Sequence, residues 1–314
     1  MRRGRAFTLM TQQTDTAGAA PAGAWLDLVA IVICTLVWGT TWYAITLQLG
    51  QVDPIISIIY RFGLAAALLF AWCLLRGERL SLSRAEHGAA LGLGICQFAI
   101  NYAFVYWAEQ RVASAVVAVL FAAMAFLNLG VFRIFLGQRA PIAAWIASCL
   151  GVAGVAFLSA SEIAHAQSGE ALTGVAFTII AVLGACFGNL FAQRSHTTGV
   201  SVAASTAWSM AYGVAALTVF ALATGRHWTF LPTWPYGLSL LHLSLNGSVV
   251  AFLLYFGLAR RRGYASASYI SALTPPVAML ISTLLEGKSW GPTALIGVAL
   301  VLSGQVLLLR SRRS

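Results

Sequence analysis

Arg61 is the one charged residue set well inside a long apolar run, about six residues and roughly 9 Å past the run's start. An ionisable side chain at membrane depth is costly, which makes it a functional-site candidate. Its guanidinium could hold a carboxylate or phosphate through two parallel N–H donors. The same long side chain could instead snorkel to the interface. Asn101, Asn189 and Asn246 lie in three further apolar runs, with Tyr102 next to the first and Asn128, Gln97 and Gln305 adding more amides. Such amides either line a polar interior or join helices to one another. Trp38 and Trp42 are four residues apart, so they share a helical face, which Thr35 and Thr46 extend around Gly39. Tryptophan in spanning helices gathers at the water interfaces, whereas Trp38 is mid-run. That face suits a helix-lined interior, or ordinary packing between helices. His242, the one histidine inside a run, could accept a coupling proton or simply pack. Pro275-Pro276 interrupts the ladder of its helix and reads as a hinge or a fixed kink.

These residues make no catalytic set. An intramembrane enzyme needs a nucleophile–base pair or a metal constellation, and the candidates reduce to His242 beside Ser239 and Ser244, with no carboxylate in that run. No G-x-x-x-x-G-K-[ST] loop is present. The five cysteines all fall inside apolar runs without C-x-x-C spacing or a nearby histidine, so they read as small apolar fillers. No catalytic residue, metal site or cofactor is expected. Asp27 and Asp53 read as interfacial, and no glutamate falls within a run. That absence argues against a proton-driven exporter of cationic drugs, which Arg61 would also repel.

The elements that position these residues follow from composition. The chain of 314 residues is 60% hydrophobic and 9% charged, with a mean hydropathy of +0.83. Soluble domains carry about 25% charged residues. This is the composition of an all-α polytopic membrane protein, because backbone groups in lipid must be satisfied within helices. Ten apolar runs follow one another at 25–48, 54–75, 88–108, 112–135, 141–160, 172–193, 201–223, 236–258, 265–285 and 291–309. Residues 1–24 read as a disordered cytoplasmic tail and 310–314 as a basic cytoplasmic tail. With the N-terminus inside, fifteen of the nineteen basic residues fall on the inner side. The outer connections hold only Arg111, Arg226 and Lys288, a strong positive-inside pattern that makes both termini cytoplasmic. The net charge of +10 is therefore a topology signal, and no nucleic-acid partner is expected.

The two halves echo each other at a spacing of about 150 residues. Trp38-Gly39 pairs with Phe187-Gly188, Tyr106-Trp107 with Tyr255-Phe256, and Ala113-Ser114-Ala115 with Ala265-Ser266-Ala267. Gly137, Pro141 and Gly154 pair with Gly287, Pro292 and Gly304. Five helices per half is an odd number, so the second half is inverted: repeats at 25–160 and 172–309. Inverted repeats are the architecture of alternating-access carriers, with a site near the midplane between the halves.

The sequence resembles the ten-helix EamA-type branch of the drug/metabolite transporter superfamily. The resemblance rests on the WGTTW stretch (Trp38 to Trp42) and the Arg61-Phe62 pair. It rests also on the twice-used pattern from Leu136-Gly137-Gln138 through Gly154 and from Gly287-Lys288 through Gly304. It implies a carrier whose cavity is lined by helices one to four and six to nine, with five and ten peripheral. The chain departs from the family at Gln138 and Lys288, where a glutamate is common, and at Met124-Ala125, where a proline is common.

The sequence therefore reads as a secondary transporter of the inner (plasma) membrane, an exporter of a small organic metabolite such as an amino acid or a related anionic or zwitterionic solute. Its partners are the bilayer and that solute, and it acts as a monomer or homodimer. A non-transporting membrane partner or sensor is the alternative, and an intramembrane enzyme stands further behind. The cavity residues expected are Trp38, Trp42, Arg61, Asn101, Tyr102, Asn189 and Asn246, with His242 for proton coupling and Pro275 and Pro276 as hinge.

Overall fold

In the computed structural model, residues 24–50, 52–165, 169–196 and 199–310 are described. The tails expected at the two ends lie outside these residues, apart from Ala24 and Arg310. Among the described residues the chain forms ten helical stretches. They are α1 (Ala24–Thr46), α2 (Pro54–Leu75), α3 (Arg84–Glu109), α4 (Ser114–Leu136) and α5 (Ile142–His165). The second half gives α6 (Glu170–His196), α7 (Val202–Ala223), α8 (Trp234–Arg262), α9 (Tyr264–Leu285) and α10 (Pro292–Arg310). Seven of these, α1 to α4 and α6 to α8, are long and apolar enough to cross a membrane. The other three carry shorter apolar stretches, Ile142–Leu158, Leu273–Leu285 and Pro292–Leu307. This is a polytopic α-helical membrane protein.

Local chemistry sets the helix ends. Asp53 caps α2 by accepting from the Ile55 N–H at 2.8 Å, with Pro54 at the first helical position. Ser83 and Glu86 form a reciprocal capping box at the start of α3, and Ser201 caps α7 through the Ala204 N–H. Gly137 closes α4 at φ 64°, a left-handed conformation that side chains other than glycine rarely adopt.

Both α3 and α8 pass through a π-helical turn in their middles, at Gly94–Asn101 and His242–Val250. The two stretches stand at the same spacing of about 150 residues as the sequence echoes. π-Helical turns widen the ladder and concentrate at functional sites. Here they position the two central helices of the bundle. α1 packs on α8 and α9, α2 on α7, and α3 on α6 and α7. The main core gathers Phe62, Phe98, Tyr106, Phe252 and Phe256 between these helices.

α5 and α10 pack chiefly on each other. A Cβ on Gly154 would stand 2.6 Å from the carbonyl oxygen of Gly297, and one on Gly304 2.8 Å from that of Ala147. The glycine face of α5 is thus occupied by α10 of the same chain, backbone against backbone.

Candidate central cavity

A central cavity of about 80 Å³ lies between the halves, roomy enough for several waters. Its wall draws on α1, α3 and α4 from one half and α6, α8 and α9 from the other. From α1 come Trp38 and Trp42, one helical turn apart, with Thr41 between them. The Trp38 indole N–H donates to the Gly247 carbonyl at 3.1 Å, inside the π-helical turn of α8. Its ring stands 5.4 Å from Phe252 and 5.3 Å from Tyr255. Trp42 stacks on Phe121 at 5.0 Å, while its own indole N–H is buried and has no hydrogen-bond partner among the described residues. An unmet donor in a cavity wall favours a ligand that brings an acceptor.

Gln97, Asn101, Tyr102 and Asn189 add polar groups to the wall. Asn101 donates to the Ala181 carbonyl at 2.7 Å, which ties α3 to α6. Asn189 meets Asn128 at 3.5 Å and accepts from the Tyr255 hydroxyl at 3.4 Å. A second cavity, of about 330 Å³, lies beyond this contact and is lined by Asn128, Phe132, Gln138, Arg139 and Tyr264. Asn189 and Tyr255 face the first cavity and Asn128 the second, so the three side chains sit between the two.

Arg61 stands behind the wall. It is 1% exposed, so its guanidinium turns into the protein and away from the surface. Nε donates to Ser248 Oγ at 3.0 Å and Nη2 to the Tyr102 hydroxyl at 3.5 Å, and the group lies 4.5 Å over the Tyr102 ring. Nη1 is buried without a partner among the described residues. Asn246 also stands outside the wall. It bonds His242 Nδ1 at 3.1 Å within α8, and His242 Nε2 lies 3.0 Å from the Thr40 hydroxyl, so only the second ring nitrogen bridges α8 to α1. Pro275 is buried in α9 and Pro276 exposed, directly after the cavity-lining Thr274. Pro275 cannot donate to the carbonyl four residues back, at Ser271, itself in the wall.

Sequence reasoning did not name Phe252, Tyr255, Ser271 or Thr274 as wall residues. The Tyr255-Phe256 echo of Tyr106-Trp107 is a signal for repetition only, since Tyr255 is in the wall and Tyr106 is not. Reasoning from the runs also set no glutamate at membrane depth. Glu109, the last residue of α3, is 8% exposed, on a stretch of α3 that packs chiefly against α6.

The EamA-like transporter family matches this chain twice, over residues 25–160 and 172–310. The chain belongs to that family. Among similar proteins is one named as an uncharacterized inner membrane transporter, YedA, of Escherichia coli. It is 28% identical over 284 residues, which cover 89% of each chain. Another is named as a probable terminal-alkyne amino-acid exporter, from Streptantibioticus cattleyicolor. It is 26% identical over 233 residues, 70% of this chain and 71% of that one. A crystal structure of a protein 17% identical aligns with a TM-score of 0.69 over 91% of this chain and 98% of the other, a likeness of fold. The protein is a multi-pass inner membrane transporter.

Proposed function

We propose that this EamA-like protein is a secondary transporter that exports a small amphiphilic solute of the amino-acid class by alternating access. In this reading all ten helices cross the bilayer as two inverted repeats, with both termini in the cytoplasm. The orientation is supported by the basic residues, fifteen on one side against three on the other. The observation that carries the reading is the composition of the cavity wall. Aromatic rings from both halves, Trp38, Trp42, Tyr102, Phe252 and Tyr255, surround a few amides and one unmet indole donor. Arg61 stands just behind and supplies positive potential through the Tyr102 hydroxyl. Such a wall accommodates an apolar side chain and favours a carboxylate. The exporter similar to this chain, named for an amino-acid cargo, points to the same class.

The test is counterflow in proteoliposomes with a panel of amino acids and related carboxylates. Uptake of a member of the panel, competed by its unlabelled form, is the expected result. No uptake of any panel member would overturn the substrate class.

A further inference from the structure

Three carboxylates are buried among the described residues, and two of them are paired. Asp27 is held by Arg261 and Arg262, and Glu86 by Arg79 and the Ser83 backbone N–H. Glu109 is different. Both of its oxygens are buried, and neither has a hydrogen-bond partner among the described residues.

Its surroundings make an isolated anion unfavourable. Glu109 ends α3, and Glu286 caps the C-terminus of α9, within electrostatic reach of it. Helix C-termini carry partial negative charge, so two carboxylates gathered at two such ends repel each other and the dipoles. Glu286 accepts from the Ser114 hydroxyl at 2.8 Å, at the start of α4. Arg61 on α2 attracts Glu109 electrostatically but makes no hydrogen bond to it: its Nε and Nη2 go to Ser248 and Tyr102, and its Nη1 has no partner among the described residues. From its own helix comes Tyr106, whose hydroxyl donates to Gln48 and not to Glu109. Arg111, two residues on, donates to the Trp107 carbonyl and lies over Phe177.

We infer that Glu109, with Glu286 beside it, binds the cation coupled to transport, a proton or a monovalent metal ion, where α3, α4 and α9 meet. This rests on the transporter reading, whose orientation puts these helix ends at the outer mouth of the cavity. A proton would bond to one Glu109 oxygen and neutralise it. A metal ion would sit between the two carboxylates, with Ser114 Oγ close by. Either species relieves a buried charge that no side chain meets, and either is released when the site opens to a compartment poor in it.

The experiment needs no solute, so its failure is separable from failure of the transport reading. Purified wild type, E109Q and E286Q are melted in buffers from about pH 5 to 9, each with NaCl or choline chloride. Glutamine copies the neutral carboxyl in shape. For a proton site, the wild-type melting temperature falls by a few degrees as pH rises, and E109Q loses that component. For a metal site, Na⁺ but not choline raises the wild-type melting temperature, and E109Q and E286Q do not respond. Identical pH and Na⁺ responses in wild type and E109Q overturn the inference. If E109Q does not fold, dicyclohexylcarbodiimide labelling of wild type read by mass spectrometry decides. Modification of Glu109 that alkaline pH or Na⁺ suppresses supports the site, and an unlabelled Glu109 overturns it.

Discussion

Trp38 and Gly247 are joined across the two halves by an indole N–H that donates to a backbone carbonyl at 3.1 Å. Gly247 has no room for a side chain there, since a Cβ would stand 2.7 Å from Thr41 Cγ2 and 3.4 Å from Arg61 Nη2. One peptide of the π-helical turn therefore gathers α1, α2 and α8. Trp38→Phe keeps most of the ring contacts but removes the donor, and a loss of about 1 kcal/mol is expected. Trp38→Ala removes the wall itself, for about 3–5 kcal/mol. Thermal unfolding of both in detergent checks the ordering. Equal losses would mean that the hydrogen bond, and not the ring, holds the halves together here.

Asn128, Asn189 and Tyr255 meet between the two cavities through contacts of 3.5 and 3.4 Å. Bonds that long are weak, so a partition built from them costs little to open. Asn189→Ala and Tyr255→Phe should each change stability by less than about 1.5 kcal/mol. Each should also speed solute exchange in counterflow, since the path between the cavities is then less obstructed. A melting temperature that falls steeply with exchange unchanged would make these residues structural joints.

Much of this was legible in the sequence because the signals were periodic. Apolar runs gave the helices to within a few residues, and the echoes at Trp38-Gly39 and Tyr106-Trp107 pointed to two halves built alike. Side-chain direction was not legible. Asn101 and Asn246 occupy corresponding helices, yet Asn101 reaches the wall and Asn246 turns to His242. Each lies in a π-helical turn, and a single extra residue in a turn rotates everything after it by about 100° relative to an α-helical count. Glu109 was missed for another reason. Run-finding treats a charge at the end of a run as solvated, while burial there depends on the helices packed against that end, chiefly α6 from the other half of the chain.

Gly154 and Gly297 set the separation of α5 and α10. Gly154→Ala forces a methyl against the Gly297 carbonyl, where backbone cannot yield as a side chain would. A loss of about 1–3 kcal/mol is expected, with a melting temperature several degrees lower. Gly130→Ala is the control, because nothing lies within 4 Å of the added carbon. Similar melting temperatures for the two variants would show that the α5–α10 pair is loose enough to slide apart.

Arg61 is held by Ser248 and by the face and hydroxyl of Tyr102, and Tyr102 is the residue through which it touches the cavity. If the guanidinium helps bind an anionic group, its removal should weaken the solute without unfolding the protein. Arg61→Met fills the space with apolar atoms, a replacement for a buried charge that is often neutral or stabilising. Arg61→Lys keeps the charge but loses the planar fork and the stacking. The expected order of solute affinity is wild type, then Arg61→Lys, then Arg61→Met. Loss of a buried positive charge one side chain away from the solute predicts about a ten- to hundredfold rise in KM for Arg61→Met. Tyr102→Phe should move KM the same way by less. An unchanged KM in Arg61→Met, with a lowered melting temperature, would make Arg61 a brace between α2, α3 and α8 with no part in holding the solute.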